Sequence, residues 1–313
     1  MHKAQVPSQR PAFFLCSVFN RGKESPFFPM KKFLFLLISS CLSLTVHGQR
    51  PELGIVMDNS EDSLLYASGY RYVVENVVKY FSPLTVDDAT FEKNVQTFSR
   101  MKTKIYALNI FMPGDMKLVG PDVNETAIVN YVRGVFARCN RAGIDLIIWG
   151  SGGARRVPEG FDKAKAREQF INIARKVAVV AKEYNMRLAL ENLNSTETNF
   201  INTAADALQV VTEVNHPNFR LCVDIYHMLM ENEPPAIIES TKKYLIHVDI
   251  AEREGRAAPG TRGQDFRPYL KALKKIRYDR LIVLECRWNN MPAEIVQGRT
   301  ELIRQLDAVY GKK

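Results

Sequence analysis

Three acidic side chains in the second half of this 313-residue chain each close a short apolar run, and an imidazole stands within a fourth. Arg187-Leu188-Ala189-Leu190 leads into Glu191, Leu221-Cys222-Val223 into Asp224 and Val283-Leu284 into Glu285, while His247 lies inside Leu245-Ile246-His247-Val248. If these runs are neighbouring parallel strands, their ends converge on one point. Three carboxylates and an imidazole gathered there repel one another unless something neutralises them. A divalent cation does so and suits oxygen and nitrogen donors. The set has no thiolate, so Mn²⁺, with Mg²⁺ or Co²⁺ as alternatives, is expected ahead of a structural zinc. Taken singly, an acid after an apolar run is usually a helix cap or a surface turn. The metal reading rests on the four occurring together in four successive units.

Those units must be positioned by a sheet. Beyond residue 50 the chain alternates short β-rich runs with longer amphipathic stretches, the pattern of parallel strands joined by helical crossovers. Eight strands are expected, at Leu53–Met57, Tyr70–Glu75, Lys104–Phe111, Asp145–Trp149, Arg187–Leu190, Arg220–Val223, Tyr244–Val248 and Leu281–Leu284. Apolar residues at three and four spacing predict helices over Asp87–Met101, Glu125–Ala142, Lys163–Tyr184 and Thr203–Val214. Eight such units fit a closed (β/α)8 TIM barrel over residues 49–313, whose reactive groups gather at the C-terminal tips of the strands. An open doubly wound sheet is the rival fold, but no G-x-G-x-x-G follows the first strand and no Walker loop occurs. Glu75, at the end of the second expected strand, is a candidate for the pocket wall or a cap. Arg155 and Arg156, after the glycine-rich turn Gly150-Ser151-Gly152-Gly153, are candidates for an anionic group or for the surface.

Glu191-Asn192-Leu193-Asn194, Asp224-Ile225-Tyr226-His227, His247-Val248-Asp249, the stretch from Pro259-Gly260 to Asp265-Phe266, and Leu284-Glu285 resemble the xylose-isomerase-like superfamily, and within it the ketose 3-epimerases. The resemblance covers most of residues 51–313 and is strongest after residue 145. It implies that Glu191, Asp224, His247 and Glu285 hold one metal ion, and that two of them form the acid/base pair. It also implies that Glu197, His227 and Arg253 contact the substrate. The bland readings are a core histidine for His227 and a solvated loop residue for Arg253.

A proton beside a carbonyl is too weakly acidic for a carboxylate unless the developing enolate is stabilised, which a metal ion does. With Glu191 and Glu285 as the catalytic acids, one removing the proton and the other returning it on the opposite face, the outcome is epimerisation or isomerisation of a sugar. Expulsion of a neighbouring hydroxyl or alkoxide gives instead a dehydratase or lyase, as in the inosose dehydratases of the superfamily. A non-catalytic sugar-binding barrel would bind sugar without metal dependence. An apurinic-site endonuclease with three zinc ions needs more imidazoles than His216, His227 and His247 supply.

The formal charge of +9 is concentrated in residues 1–48, which carry six Lys/Arg and one acid, and the remaining surplus of about +4 names no nucleic-acid partner. Met30-Lys31-Lys32 followed by the apolar Phe33–Leu44 reads as a signal peptide over 30–48, with a cut before Gln49, and implies export to a bacterial periplasm. A second reading of the same stretch is a lipid anchor on Cys41. Residues 1–29 then read as an over-extended start. The apolar run is short of the roughly 20 residues a membrane-spanning helix needs, and no transmembrane segment is expected. Cys139, Cys222 and Cys286 are too few and too scattered for a disulfide framework and read as buried fillers. Export favours an unphosphorylated ketose or keto-sugar as the small-molecule substrate. The oligomeric state, a homo-oligomer included, is left open.

Overall fold

The computed structural model describes residues 50–312; the readings of 1–29, of the signal peptide at 30–48 and of Cys41 lie outside them. Eight parallel strands close into a barrel in chain order: β1 (Leu53–Val56), β2 (Tyr72–Asn76), β3 (Lys104–Asn109), β4 (Leu146–Trp149), β5 (Arg187–Glu191), β6 (Phe219–Asp224), β7 (Leu245–Ile250) and β8 (Ile282–Leu284). The ring is completed by β1 against β8, with Leu53 beside Ile282. The outer layer is built from α1 (Asp62–Ala67), α2 (Asp88–Phe98), α3 (Glu125–Ala142), α4 (Lys163–Glu183), α5 (Ala204–Val214), α6 (Ile225–Met230), α7 (Arg267–Lys275) and α8 (Met291–Tyr310), with shorter turns between. No helix among the described residues is long and apolar enough to cross a membrane.

The helices form where caps and periodicity agree. Asn124 accepts from Ala127 N to start α3, and Ile128, Val132, Val135, Phe136 and Cys139 form its buried stripe. Each fully buried side chain of this kind is worth roughly 1.5–3 kcal/mol. Thr203 and Asp206 close a reciprocal capping box on α5. Between helices and strands lies the main core, with Phe111, Phe136, Trp149, Phe170 and Phe219 all buried. Inside the barrel a second, smaller cluster is made by Val74, Ala107, Ile148, Ala189, Cys222 and Val283.

Two strand ends differ from the sequence expectation, and both matter above the barrel. β3 stops at Asn109 because Ile110 takes a left-handed backbone (φ 50), turning the chain away from the expected end at Phe111. β7 runs on to Ile250 instead of ending at Val248. Side chains alternate along a strand, so two more residues add one rung to the inner face of the barrel.

Candidate metal and active site

The rungs define the site. β6 and β7 pair Cys222 with His247 and Asp224 with Asp249. Asp249, not His247, therefore joins Glu191, Asp224 and Glu285 at the mouth, and His247 lies one rung deeper beside Cys222. Oxygens of Glu191, Asp249 and Glu285 lie within 4.8 Å of one another, as do donor atoms of Glu191, Asp224 and His227. The expectation that His247 shares the cluster with the three carboxylates is corrected here. Its Nε2 instead lies 2.8 Å from Asp249 Oδ1, and Cys222 donates to Asp249 Oδ2 at 3.3 Å. Cys222 is thus a buried hydrogen-bonding partner rather than the simple filler expected, a description that fits Cys139.

Asp224 serves two purposes at once. Its Oδ1 caps α6, accepting from Tyr226 N at 2.7 Å, while its Oδ2 faces the site. The cap takes one carboxylate oxygen and leaves the other directed into the cluster.

The Glu191-Asn192-Leu193-Asn194 run holds three parts of the site. Asn192 pairs with the Asp224 backbone, accepting from its N–H at 3.0 Å and donating to its carbonyl at 3.2 Å, which fixes the tip of β6 against β5. The backbone N–H of Asn194 donates to His227 Nδ1 at 3.1 Å. That leaves the proton of the neutral ring on Nε2, which points into the site 3.2 Å from Asp224 Oδ2 and 3.8 Å from Glu191 Oε1. Burial, helped by Arg256, pushes His227 down to about 3, so the ring is a neutral N–H donor. Gly150 gives Glu191 its room, since a Cβ there would lie 2.3 Å from Glu191 Oε2.

Arg155 and Arg156 also serve this loop. Arg155 is fully buried and donates to the carbonyls of Glu191 (2.8 Å) and Ile201 (3.3 Å); Arg156 donates to the Glu197 carbonyl at 2.6 Å. Neither is arranged around an anionic ligand, and both brace the segment after β5.

The guanidinium at the mouth belongs to Arg256. Arg253 is exposed and donates to Asn232 at 2.7 Å, away from the cluster, which corrects its expected place against the substrate. Arg256 donates to Glu285 Oε2 (2.6 Å), Asp224 Oδ2 (3.3 Å) and Glu197 Oε1 (3.2 Å). Two consecutive left-handed residues, Gly255 (φ 70) and Arg256 (φ 52), turn this loop back over the barrel. The buried carboxylate of Glu252 anchors it by accepting from the backbone N–H groups of Gly260 and Gln264 at 2.7 and 3.2 Å. Asn109, at the end of β3, reaches Glu285 Oε1 at 3.4 Å.

The electrostatics reflect the crowding. Burial, then Glu285, Asp224 and Asp249, hold the Glu191 carboxyl well above the carboxylate range. Burial raises Asp224 and Glu285 to about 7 even though Arg256 pulls both down. Four acids around one guanidinium would leave surplus negative charge if all were ionised, and the donors at the mouth are carboxylate oxygens with one imidazole beside them. That set fits a hard divalent cation such as Mg²⁺ or Mn²⁺.

Beside the cluster opens a cavity of about 450 Å³, bordered by Met57, Glu75, Asn109, Ile110, Arg256 and Glu285. Glu75 lies in its wall, buried, accepting from Asn76 N at 3.2 Å, with its carboxyl raised to about 7 by burial.

A closed parallel barrel with acids on the tips of β5 to β8 defines the class of protein. The chain matches the family described as Xylose isomerase-like TIM barrel over residues 64–306 and belongs to it. Among curated relatives, the ketose 3-epimerase of Arthrobacter globiformis is 37% identical over 111 residues, covering 35% of this chain and 38% of that protein. The putative hydroxypyruvate isomerase of Homo sapiens is 30% identical over 125 residues, covering 37% of this chain and 45% of that protein. These matches span less than half of either relative. The solved structure of an L-ribulose 3-epimerase superposes with TM-score 0.70 at 20% identity, covering 83% of this chain and 95% of that one. The 3-keto-D-glucoside 4-epimerase of E. coli does so with TM-score 0.67 at 18% identity, covering 82% and 99%. At such identity the two structures share the fold.

Proposed function

We propose that this protein is a divalent-metal-dependent sugar isomerase or epimerase that moves a proton on the carbon beside a carbonyl of an unphosphorylated ketose or keto-sugar. The observation that carries the reading is the pair Glu191 and Glu285, gathered with Asp249 within 4.8 Å, with Glu285 raised to about 7 and Glu191 held well above the carboxylate range by burial. A carboxyl titrating near the working pH can both take and return a proton. The names of the relatives, epimerases and isomerases of ketoses and of a keto-glucoside, point the same way.

Glu191, Asp224 and Glu285 would hold the cation, with Asp249 in place of His247 as the fourth ligand. The ion would stabilise negative charge developing on substrate oxygens. One of Glu191 and Glu285 removes the proton from the face it borders, and the other delivers one to the opposite face. His227 donates its Nε2 proton as a hydrogen bond to a substrate oxygen, and Arg256 exchanges its bonds with Asp224 and Glu197 for another. Glu197 and the wall residue Glu75 border the bound sugar. The preference for an unphosphorylated substrate rests on the signal-peptide reading of residues 30–48, which would put the protein in the periplasm.

The test incubates metal-loaded protein in deuterated water with a panel of ketoses, 3-keto-sugars, 3-keto-glycosides and sugar phosphates. Deuterium at a carbon beside the carbonyl, dependent on added Mn²⁺ or Mg²⁺ and lost in Glu191→Gln, supports the reading. Exchange followed by loss of water or alkoxide assigns the lyase outcome to the same residues. Reaction of sugar phosphates alone refutes the substrate preference, and sugar binding without metal or exchange leaves a binding barrel.

A further inference from the structure

One rung below the mouth, Cys222, His247 and Asp249 form a second group of donors, all buried, whose ligand atoms lie within 4.8 Å of one another. We propose that this group is a separate site for a thiophilic divalent cation such as Zn²⁺ or Cd²⁺, sharing Asp249 with the cluster above and therefore competing with the hard cation for it.

The chemistry of the two rungs differs. The mouth offers carboxylate oxygens and the His227 ring, whereas the lower rung offers a thiol sulfur, an imidazole nitrogen and one carboxylate, a combination that selects softer metals. The geometry is nearly closed already. His247 Nε2 and Cys222 Sγ stand 2.8 and 3.3 Å from the two Asp249 oxygens. Donors around a tetrahedral zinc, at bond lengths of about 2.0–2.3 Å, are spaced roughly 3.3–3.8 Å apart, so small rotations suffice. A second observation favours a ligand. His247 Nδ1 is buried with no hydrogen-bond partner among the described residues, so the ring proton is held on Nε2 by the Asp249 carboxylate alone, and a cation that takes that carboxylate frees it to move. The proton can reside on Nδ1, leaving the Nε2 lone pair for a metal. Binding converts the Cys222 thiol to thiolate and releases its proton to solvent.

Asp249 couples the two sites. His247 and Cys222 each reach one of its oxygens from below, and an ion bound there draws the carboxylate down and weakens its hold on an ion at the mouth. A thiophilic ion is then an inhibitor acting from inside the barrel, whatever reaction the mouth catalyses, so the proposal stands apart from the sugar chemistry.

The experiment titrates the metal-free full chain with Cd²⁺ and follows the ultraviolet thiolate-to-cadmium absorption and the cadmium NMR resonance. Expected are an absorption that saturates at a single equivalent, a resonance in the sulfur-ligated range, loss of the absorption in Cys222→Ser and its retention in Cys286→Ser. Excess Mg²⁺ is expected to weaken Cd²⁺ binding about tenfold or more. The wild-type cadmium spectrum needs no substitution, so a poorly folding variant does not blunt the test. A resonance without sulfur ligation, an absorption undiminished in Cys222→Ser, one that follows Cys286, or indifference to Mg²⁺ overturns the proposal.

Discussion

Gly150→Ala is the smallest perturbation that separates the geometry of the proposed metal site from its charge. Nothing is removed from the cluster, and a single methyl is added. It would stand 2.3 Å from Glu191 Oε2 and 3.5 Å from Leu193 Cδ2, far inside contact with the first. The carboxylate has to move, because the Glu191 backbone is held by Arg155 through its carbonyl at 2.8 Å and by pairing with Cys222 on β6. Displacing a ligand oxygen forfeits one charge-assisted contact, about 1.5–3 kcal/mol, or roughly 10- to 150-fold in metal affinity. Overpacking adds ~1–3 kcal/mol of destabilisation to the folded protein. Calorimetric titration of metal-free wild type and variant with Mn²⁺ measures the first, and thermal unfolding followed by circular dichroism measures the second. An affinity within twofold of wild type refutes the reasoning, since Glu191 would then not need the space Gly150 leaves.

Other outcomes follow from the same geometry. Asp249→Asn is expected to cost roughly 10- to 150-fold in Mn²⁺ affinity; His247→Gln, which keeps a donor for Asp249, costs less than Asp249→Asn, and the reverse order by calorimetry would restore His247 to the mouth. Arg256→Ala should lower turnover in the deuterium-exchange assay by roughly 10²-fold, the usual loss of one preorganised donor, while Arg253→Ala stays within about twofold; equal effects would contradict the placement of the two arginines. In metal-free protein Asp224 and Glu285 are raised from 3.8 and 4.5 to about 7, so the folded state holds protons that the unfolded chain has released. Stability therefore falls as pH rises from about 4.5 to 7 and levels off above it, each such group contributing on the order of 3 kcal/mol. Added Mg²⁺ should raise Tm more at pH 8 than at pH 5.5, and a metal-free Tm that climbs across this interval would contradict the burial of uncompensated acids.

The barrel was legible because its cause is periodic. Every expected strand and each of the four expected helices is present within a few residues, since alternation and three-four spacing follow from burying one face, which the sequence records directly. The site was legible where a strand end coincides with the end of an apolar run, as at Glu191, Asp224 and Glu285. β7 breaks that coincidence. Its last three residues, Val248, Asp249 and Ile250, are all buried, yet Asp249 interrupts the hydrophobic pattern that marks a strand. An acid inside a strand looks like the residue that terminates it, so the apolar pattern predicts an end at Val248 and makes His247 the polar residue nearest that end.

The same displacement carried forward to the arginine. The family resemblance implies Arg253, whereas the chain spends two more residues in the strand and then reverses through Gly255 and Arg256, a turn no periodicity records. What decides that Arg256 reaches Glu285 is the grip of Glu252 on the amides of Gly260 and Gln264, eight and twelve residues later, a contact between a buried acid and backbone with no pattern in side-chain type. The signal that could have found it is Glu252, two residues past β7: a buried carboxylate near a strand end either binds a cation or satisfies backbone donors. On neighbouring strands of this barrel Glu252 takes the second course, and Asp224 gives one oxygen to backbone donors while the other faces the cluster.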